Sequence, residues 1–481
     1  MASQFRVAII GGGTGGLCLA QALHKAGVPV TVYERSGVHT DRLQGYRVHI
    51  NPKGSRALHD CLPPHQWHTF VETCGHPGGA FSFVDEQLKE LLLIEDDRTA
   101  DQHRTADQHR TADRERTADQ ERTADQERTG DQERTAEQHR TGDQDRDPAR
   151  SHHSVSRITL HEVLSAGLED VLHPNKEFER YERATDGTVT CYFTDGTTAT
   201  ADVLVAADGA NSRVRHQYLP NAQRVDTGIR AIAGKLPLTD ETKSWLPPRM
   251  RTGPNNVLPP SGCGMFMAPH DLSDSLLSTA AHSADLHNSP INDLHFDNTS
   301  SYLMWAYAAN SRKYPCDDTA LSALDGAGLR DLASSQIAGW HPHLRRMVAD
   351  TPEETVTLLP IRTSIPVKQW PTTNITVVGD AIHSMTPFRG IGANTALRDA
   401  QLLARNLIAA ARGQRDLLDA IHDYETQMVA YGFDAVRLSL RTARQTISNN
   451  WLGRSMFKAA LRVFAAVPPL KRKAFADLAS D

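Results

Sequence analysis

What this chain of 481 residues lacks bounds it first. No window approaches 18 consecutive apolar residues, and the start, MASQFRVAII, holds only a four-residue apolar run before its glycines. Neither a membrane span nor a secretory signal is therefore expected, and the protein is placed in the cytoplasm. Cysteine is scarce: Cys18, Cys61, Cys74, Cys191, Cys263 and Cys316 lie far apart with no C-x-x-C pair, which disfavours zinc and a redox dithiol and leaves reduced structural thiols. Positive charge is not in excess, with 52 Lys and Arg against 58 Asp and Glu, so no basic field for nucleic acid exists. The histidines show no H-x-x-x-H spacing, and no metal is expected. Oligomeric state is not legible.

What is present is enough apolar residue, 39% of the chain, for a sizeable core and two or three domains. Arg98 to Asp145 is a run of hexads of the type RTADQH with no apolar residue larger than Ala. At neither a 3.6 nor a 2.0 period does it make a core stripe. It is expected to be a surface insertion, disordered or a solvated helix, over 98–147.

The N-terminal stretch FRVAII reads as a strand, GLCLAQALHKAG as a helix ending in glycine, and VPVTVYE as a second strand ending at Glu34. Gly11, Gly13 and Gly16 fill G-x-G-x-x-G: the first permits the tight turn, the second lets backbone approach a pyrophosphate, and the third lets helix and strand pack closely. The helix start offers unpaired N–H groups to phosphate, and Glu34, 18 residues beyond Gly16, is placed for an adenosine ribose. At this point NAD and FAD are both open. A second glycine stretch, GDAIHSMTPFRGIGAN at 379–394, also follows a strand (NITVVGD) and opens a helix with Ala396, Leu397, Ala400, Leu403, Leu407 and Ala411 on one stripe. Its acid precedes the glycines and no second ribose acid follows, so it is not a second Rossmann site. An Asp at the strand end suits ribityl hydroxyls, and the helix start suits negative charge on a reduced isoalloxazine, so both stretches would serve one extended cofactor.

The order Gly379, Asp380, His383, Pro387, Gly390, Gly392, Asn394 and Asp399 resembles the second FAD motif of the class A flavoprotein monooxygenases, the family of p-hydroxybenzoate hydroxylase and the tetracycline-inactivating hydroxylases. VLVAADGANSRVR, with Asp208, Gly209, Ser212 and Arg215, is similar to that family's motif serving FAD and the transient pyridine nucleotide. Arg157, Leu160 and Leu164 resemble its R-x-x-L element. Ile382 and Ala206 depart from the commoner Ala and Gly without removing a polar group. The resemblance implies an α/β protein: a Rossmann-like FAD-binding domain of p-hydroxybenzoate hydroxylase type (1–72, 151–224 and 371–412), a mainly antiparallel β-sheet substrate domain (73–97 and 225–370) and C-terminal helices (413–481). It implies cofactor contacts at Gly11, Gly13, Thr14, Gly15, Gly16, Glu34, Arg35, Arg47, Arg157, Asp208, Asp380, Pro387, Gly390, Gly392, Ala393 and Asn394. Arg47 has the alternative of a plain strand-face arginine, Asp208 of a turn cap, and His383 of a helix-start residue. No catalytic side chain is assigned.

The activity implied is NAD(P)H- and O2-dependent oxygenation of a small aromatic or polyketide-like compound through a flavin C4a-hydroperoxide, with NADPH favoured and the nucleotide passing near Asp208 and Arg215. Met265, Phe266, Met267, Trp305 and Tyr307 are the candidates for substrate lining. A halogenase is disfavoured because none of the six tryptophans has another two residues away. A lipid-handling flavin reductase or a non-catalytic FAD protein that sequesters an aromatic remains as an alternative. In the last helix, Trp451, Met456, Phe457, Leu461 and Phe464 are expected to pack on the body rather than attach to a membrane, with Arg454, Lys458 and Arg462 off that face and PPLKRKAF giving a small basic end. Replacing Arg98 to Asp145 by a short Gly/Ser linker is expected to leave flavin content and thermal midpoint nearly unchanged, read by visible absorbance and calorimetry. A colourless or unfolded product would give the repeat a part in the fold.

Overall fold

The computed structural model describes residues 5–37, 47–74, 80–95, 147–260, 262–270 and 301–467. The hexad insertion lies outside them. Val7–Ile10, an all-apolar run between a polar start and the glycines, becomes the central strand of a five-stranded parallel sheet. Its order is Ile375–Val377, Val203–Ala206, Val7–Ile10, Val30–Tyr33 and Leu172–His173. Covered on both faces, Val7 to Ile10 are at most 3% exposed, as continuous apolar strands of parallel sheets require. Helix Thr14–Lys25 leaves the first strand, and helix Gly392–Ala411 packs beside it. Helix Pro52–Cys61 starts where Asn51 Oδ1 accepts from Lys53 N at 3.1 Å and Gly54 N at 3.0 Å.

The second sheet has seven strands in the order Thr357–Ser364, Arg224–Pro237, Tyr302–Asn310, Cys263–His270, Asn255–Val257, Ala80–Val84 and Glu90–Glu95. All neighbours are antiparallel except Asn255–Val257 with Ala80–Val84. This is the expected combination of a Rossmann-like domain and a mainly antiparallel sheet. One face holds a core of Ile232, Met265, Met267, Trp305 and Tyr307 under helices Gly326–Gln336 and Pro342–Ala349. The other face meets helix Leu417–Thr446 through Ala231, Ala308 and Ala443.

The last helix, Trp451–Ala466, corrects the expectation for its faces. Leu461 and Phe464 do pack, against Leu91, Leu92 and Leu258. Arg454 is also buried, its guanidinium donating to Thr446 O at 2.7 Å and Cys263 O at 2.9 Å, whereas Trp451 and Met456 are 67% and 66% exposed. Backbone carbonyls left over at the end of the preceding helix draw the arginine inward and rotate the aromatic edge outward.

Glu425, on the long helix, is fully buried and faces only neutral donors: Trp370 Nε1 at 3.2 Å, Thr376 Oγ1 at 3.0 Å and Thr372 Oγ1 at 2.8 Å. Burial pushes its carboxyl up to about 7, the three donors only partly opposing it. A carboxyl raised on folding favours the protonated native state, so this contribution is full below the unfolded value and is lost as pH rises from about 4.5 through 7. Glu425→Gln, which cannot ionise, is expected to gain on the parent by up to roughly 3 kcal/mol between pH 5 and pH 8. Denaturant melts at the two pH values check this, and a constant difference would mean that Glu425 does not titrate in that range.

Candidate cofactor site

The first glycine turn is demanded by close contacts. Gly11 has φ +109°, and a Cβ there would lie 2.3 Å from Ala207 O. At Gly16 a Cβ would sit 2.2 Å from Gly11 O, so helix Thr14–Lys25 presses directly on the turn. Gly13 is different: it is exposed, with φ −79°, and the nearest atom to a Cβ there is Ala207 O at 4.0 Å. The protein leaves that space open, as it must if a pyrophosphate approaches the backbone. No side chain caps this helix start, so the N–H groups around Thr14 and Gly15 remain available to an anion. Glu34 ends its strand with Oε2 accepting from Gly12 N at 2.7 Å and Oε1 from Ser36 N at 2.9 Å, so it fixes the turn that it borders. His161 Nε2 donates to Gly12 O at 3.0 Å, a support that sequence reasoning missed. Arg35 beside Glu34 is exposed.

The second glycine turn abuts the first. A Cβ on Gly15 would be 3.4 Å from both Cβ and O of Ala396, and one on Gly379 (φ +61°) 3.1 Å from Ala396 Cβ. Helix Gly392–Ala411 also starts without a side-chain cap, leaving the N–H groups of Gly392 and Ala393 beside exposed Pro387 and Gly390. Gly390, at φ +63°, makes the left-handed step that ends the preceding turn. Asp380 is exposed at the end of Ile375–Val377, where a ligand hydroxyl can reach it. Behind it, buried Asp399 accepts from Gly379 N at 2.7 Å, His383 Nε2 at 2.6 Å and Tyr431 Oη at 2.6 Å. Burial alone would lower the His383 pKa, but the facing Asp399 carboxylate raises it above its ordinary value.

Three side chains assigned to ligands serve the protein first. Asn394 donates to His49 O at 2.8 Å and accepts from Asn51 N at 2.9 Å, so only its backbone N–H is left for a cofactor. Arg215 is 2% exposed and donates to Ala210 O at 3.0 Å and Ala381 O at 2.9 Å. The expected nucleotide contact at its side chain is therefore corrected: the guanidinium is enclosed by the protein, Nη1 bracing the second turn and Nε buried without a partner. Asp208 Oδ2 accepts from Arg213 N at 2.8 Å, the turn-capping role, while its Oδ1 is buried without a partner. Burial raises the Asp208 carboxyl above the usual range despite these N–H donors.

Arg47 sits on strand Arg47–Ile50, paired with His153–Ser156, and its Nε donates to Ser154 Oγ. Burial lowers its pKa to about 10, and Tyr302 of the large sheet lies close enough to oppose that shift. His49, two residues on, is depressed to about 3 by burial and by Arg47, His152 and His153. Arg157 is exposed at the first position of helix Arg157–Ser165. Of the substrate candidates, Met265, Met267, Trp305 and Tyr307 are at most 2% exposed in the core on the far face of the sheet, which corrects their assignment. Phe266, the exception, is half-buried on the opposite face, level with Ala306 and Ala233. That face turns to the cofactor elements, because Phe388 of the second turn packs near Ala231 and Ala308 and Arg47 lies near Tyr302. Met304 and Lys235 share it by register and were missed. His341 and His343 have H-x-H spacing, but His341 Nδ1 accepts from His343 N at 3.2 Å as a helix cap. Among the described residues no cluster of three or more His, Cys, Asp and Glu could hold a metal.

Residues 337–437 match the FAD binding domain family and residues 9–86 the NAD(P)-binding Rossmann-like domain. A solved structure from Photorhabdus luminescens, assigned as an FAD-containing monooxygenase, is 32% identical with a TM-score of 0.72, covering 92% of this chain and 98% of its own. The chain belongs to the FAD-dependent monooxygenases. A dual O-methyltransferase/FAD-dependent monooxygenase of Phaeosphaeria nodorum is 26% identical over 458 residues, 88% of this chain and 43% of that protein. The chain thus spans less than half the length of the dual-function relatives it matches. Klebsiella pneumoniae HpxO, solved with FAD and uric acid, shares the fold of this monooxygenase at TM-score 0.70 and 19% identity, covering 100% of this chain and 98% of its own.

The contrast between Gly13 and Gly16 makes a test. Gly13→Val is expected to purify with at least tenfold less flavin but with an apoprotein melting point near that of the parent, since only a ligand needs that space. Gly16→Val is expected to lower the apoprotein melting point itself, because the clash is with Gly11 O. Full flavin in Gly13→Val would refute the pyrophosphate assignment.

Proposed function

We propose that this chain oxygenates a small aromatic or polyketide-like compound, using FAD, NAD(P)H and O2. The observation that carries this reading is the seam at Ala396, where the second helix, one turn from its uncapped start, comes within van der Waals reach of Gly15 at the uncapped start of the first. One extended dinucleotide fits such a seam better than two nucleotides do. The open space at Gly13, the exposed Asp380 carboxylate and the unpartnered Asp208 Oδ1 are what a diphosphate, a polyol chain and a ligand donor would use.

FAD, when bound, would supply the redox chemistry, accepting reducing equivalents from the nicotinamide and activating dioxygen. The chain's own part is binding, orientation and exclusion of water. The start of Thr14–Lys25 would hold the diphosphate, and Asp380 the ribityl hydroxyls. The start of Gly392–Ala411, with the N–H groups of Gly392 and Ala393, would stabilise negative charge on the reduced ring. The sheet face of Ala233, Ala306, Met304 and Phe266 would form the apolar wall against which the accepting carbon is positioned. Lys235, whose Nζ lies 5.1 Å from the Tyr302 ring centre, and Arg47 put positive charge at one end of that wall, which suits a substrate with an acidic phenol. NADPH is the favoured donor and would arrive transiently, since the Gly11–Gly16 turn would be taken by FAD.

Anaerobic stopped flow is expected to bleach the flavin with NAD(P)H. Admission of labelled dioxygen with an aromatic substrate is then expected to restore the oxidised spectrum and to leave one labelled oxygen atom in the product. Label arriving from water, or a flavin that neither nucleotide bleaches, would turn the assignment to a sequestering flavoprotein.

A further inference from the structure

Helix Trp451–Ala466 is apolar on two sides, and only one side is covered. Leu461 and Phe464 pack on Leu91, Leu92 and Leu258, Arg454 is tied to Thr446 O and Cys263 O, and Lys458 Nζ reaches Glu86 Oε2 at 3.3 Å. The opposite side carries Leu452, Met456, Ala459, Val463 and Ala466 at i, i+4, i+7, i+11 and i+14, a single stripe, all of it exposed. Leu452, Met456 and Val463 are 55%, 66% and 55% exposed, with Trp451 at 67% bordering the stripe, while Phe457, 50% exposed, lies on the packed side at i−4 and i−7 from Leu461 and Phe464. These five are half of the ten exposed large hydrophobics among the described residues, gathered on one helix. Scattered exposed apolar side chains need no explanation; a contiguous stripe of them does.

The surrounding charge selects the occupant. Between Asp434 and Asp477 the sequence has no Asp or Glu and nine Lys and Arg, in a chain whose net charge is −6. Arg441 and Arg444 are exposed just before the helix, and Arg462 borders the stripe. Lys471, Arg472 and Lys473 follow it in sequence, outside the described residues. A second copy docked on this stripe through a two-fold axis would bring like charges face to face, since Glu86 and Glu90 at that edge of the sheet are already paired with Lys458 and Arg249. An anionic surface meets the exposed Arg441, Arg444 and Arg462 with one sign of interaction. A short helix with Leu, Met and Val on one side, a Trp at its border and flanking cations has the composition of a helix lying in the plane of a lipid interface. No helix among the described residues is long and apolar enough to cross a membrane, so the contact would be peripheral.

We propose that the exposed face of helix Trp451–Ala466 docks the protein on an anionic lipid bilayer, its apolar stripe entering the headgroup boundary and its cations meeting the lipid phosphates. The site lies on the rim of the large sheet and uses none of the groups assigned to the cofactor. It is therefore independent of the oxygenation reading, and its test needs no turnover.

Full-length, FAD-loaded protein is mixed with vesicles of phosphatidylglycerol and phosphatidylcholine, or of phosphatidylcholine alone, and floated on a density gradient. Co-flotation is expected with the anionic vesicles, weakening as salt is raised. The double variant Met456→Glu, Val463→Glu is expected to bind them at least tenfold more weakly while keeping its flavin and melting point. Absence of flotation at low salt overturns the proposal. So does a wild-type dimer in light scattering that the double variant converts to monomer, because a second copy would then cover the stripe. A double variant that loses melting temperature, in a protein that does not float, assigns the stripe to residues 468–481 of the same chain and overturns it equally.

Discussion

The buried carboxylate of Asp399 is the point on which the cofactor side of the molecule hangs. It is 0% exposed, and burying such a charge is tolerated only where donors replace the lost water. Three do so: Gly379 N, His383 Nε2 and Tyr431 Oη, all within 2.7 Å. The first belongs to the end of a parallel strand, the second to the turn that follows, and the third to the long helix Leu417–Thr446. Removing the carboxylate would orphan three buried donors together, at about 1–3 kcal/mol each. Tyr431 is held from its other side by the Arg398 guanidinium, 3.7 Å from the ring centre. Gly432 lets the helix close on the imidazole, because a Cβ there would lie 2.6 Å from His383 Cδ2.

From that anchor the two glycine turns are drawn together by groups far apart in sequence. Arg215 reaches the second turn at Ala381 O, and Asn394 reaches back to His49 O and Asn51 N. Between them Gly15, Ala396 and Gly379 form a seam in which no residue is larger than Ala. Small residues permit the approach, and the polar clamps fix its register. The result is that both uncapped helix starts belong to one rigid construction before any ligand arrives, the arrangement that preorganised electrostatic stabilisation requires.

The parallel sheet and the glycine turns were legible in the sequence because their constraints act on backbone. Positive φ at Gly11, Gly379 and Gly390, and a 2.2 Å approach at Gly16, can be met by no other residue, so the spacing itself carries the geometry. The clamps were not legible. Arg215 and Asn394 are polar side chains whose partners lie 166 and 345 residues away, and nothing local distinguishes them from ligand contacts. The phase of the large sheet was also hidden. Alternation reveals a face only when one side meets water, and here both sides are covered. Large side chains drew the eye to Met265, Met267, Trp305 and Tyr307, which fill the far core, while the face toward the cofactor carries Ala231, Ala233, Ala306 and Ala308. The last helix misled for a related reason: with apolar residues on both sides, its pattern does not say which side packs.

The same sheet limits how substrate and cofactor elements can move relative to each other. Strand Arg224–Pro237 starts, and strand Thr357–Ser364 ends, at the cofactor side. There Ser364 N donates to Ser384 O at 2.7 Å and Ile365 N to Gln223 O at 2.9 Å. Ser384 directly follows the Asp380–His383 turn, so the sheet is hydrogen-bonded into the segment that Asp399 anchors. Phe388 adds an apolar contact from the same segment to Ala231 and Ala308. A hinge between the two units would have to break these bonds and expose that contact together. Adjustment at the substrate wall is therefore easier through the side chains of Phe266, Met304 and Lys235 than through rotation of the sheet.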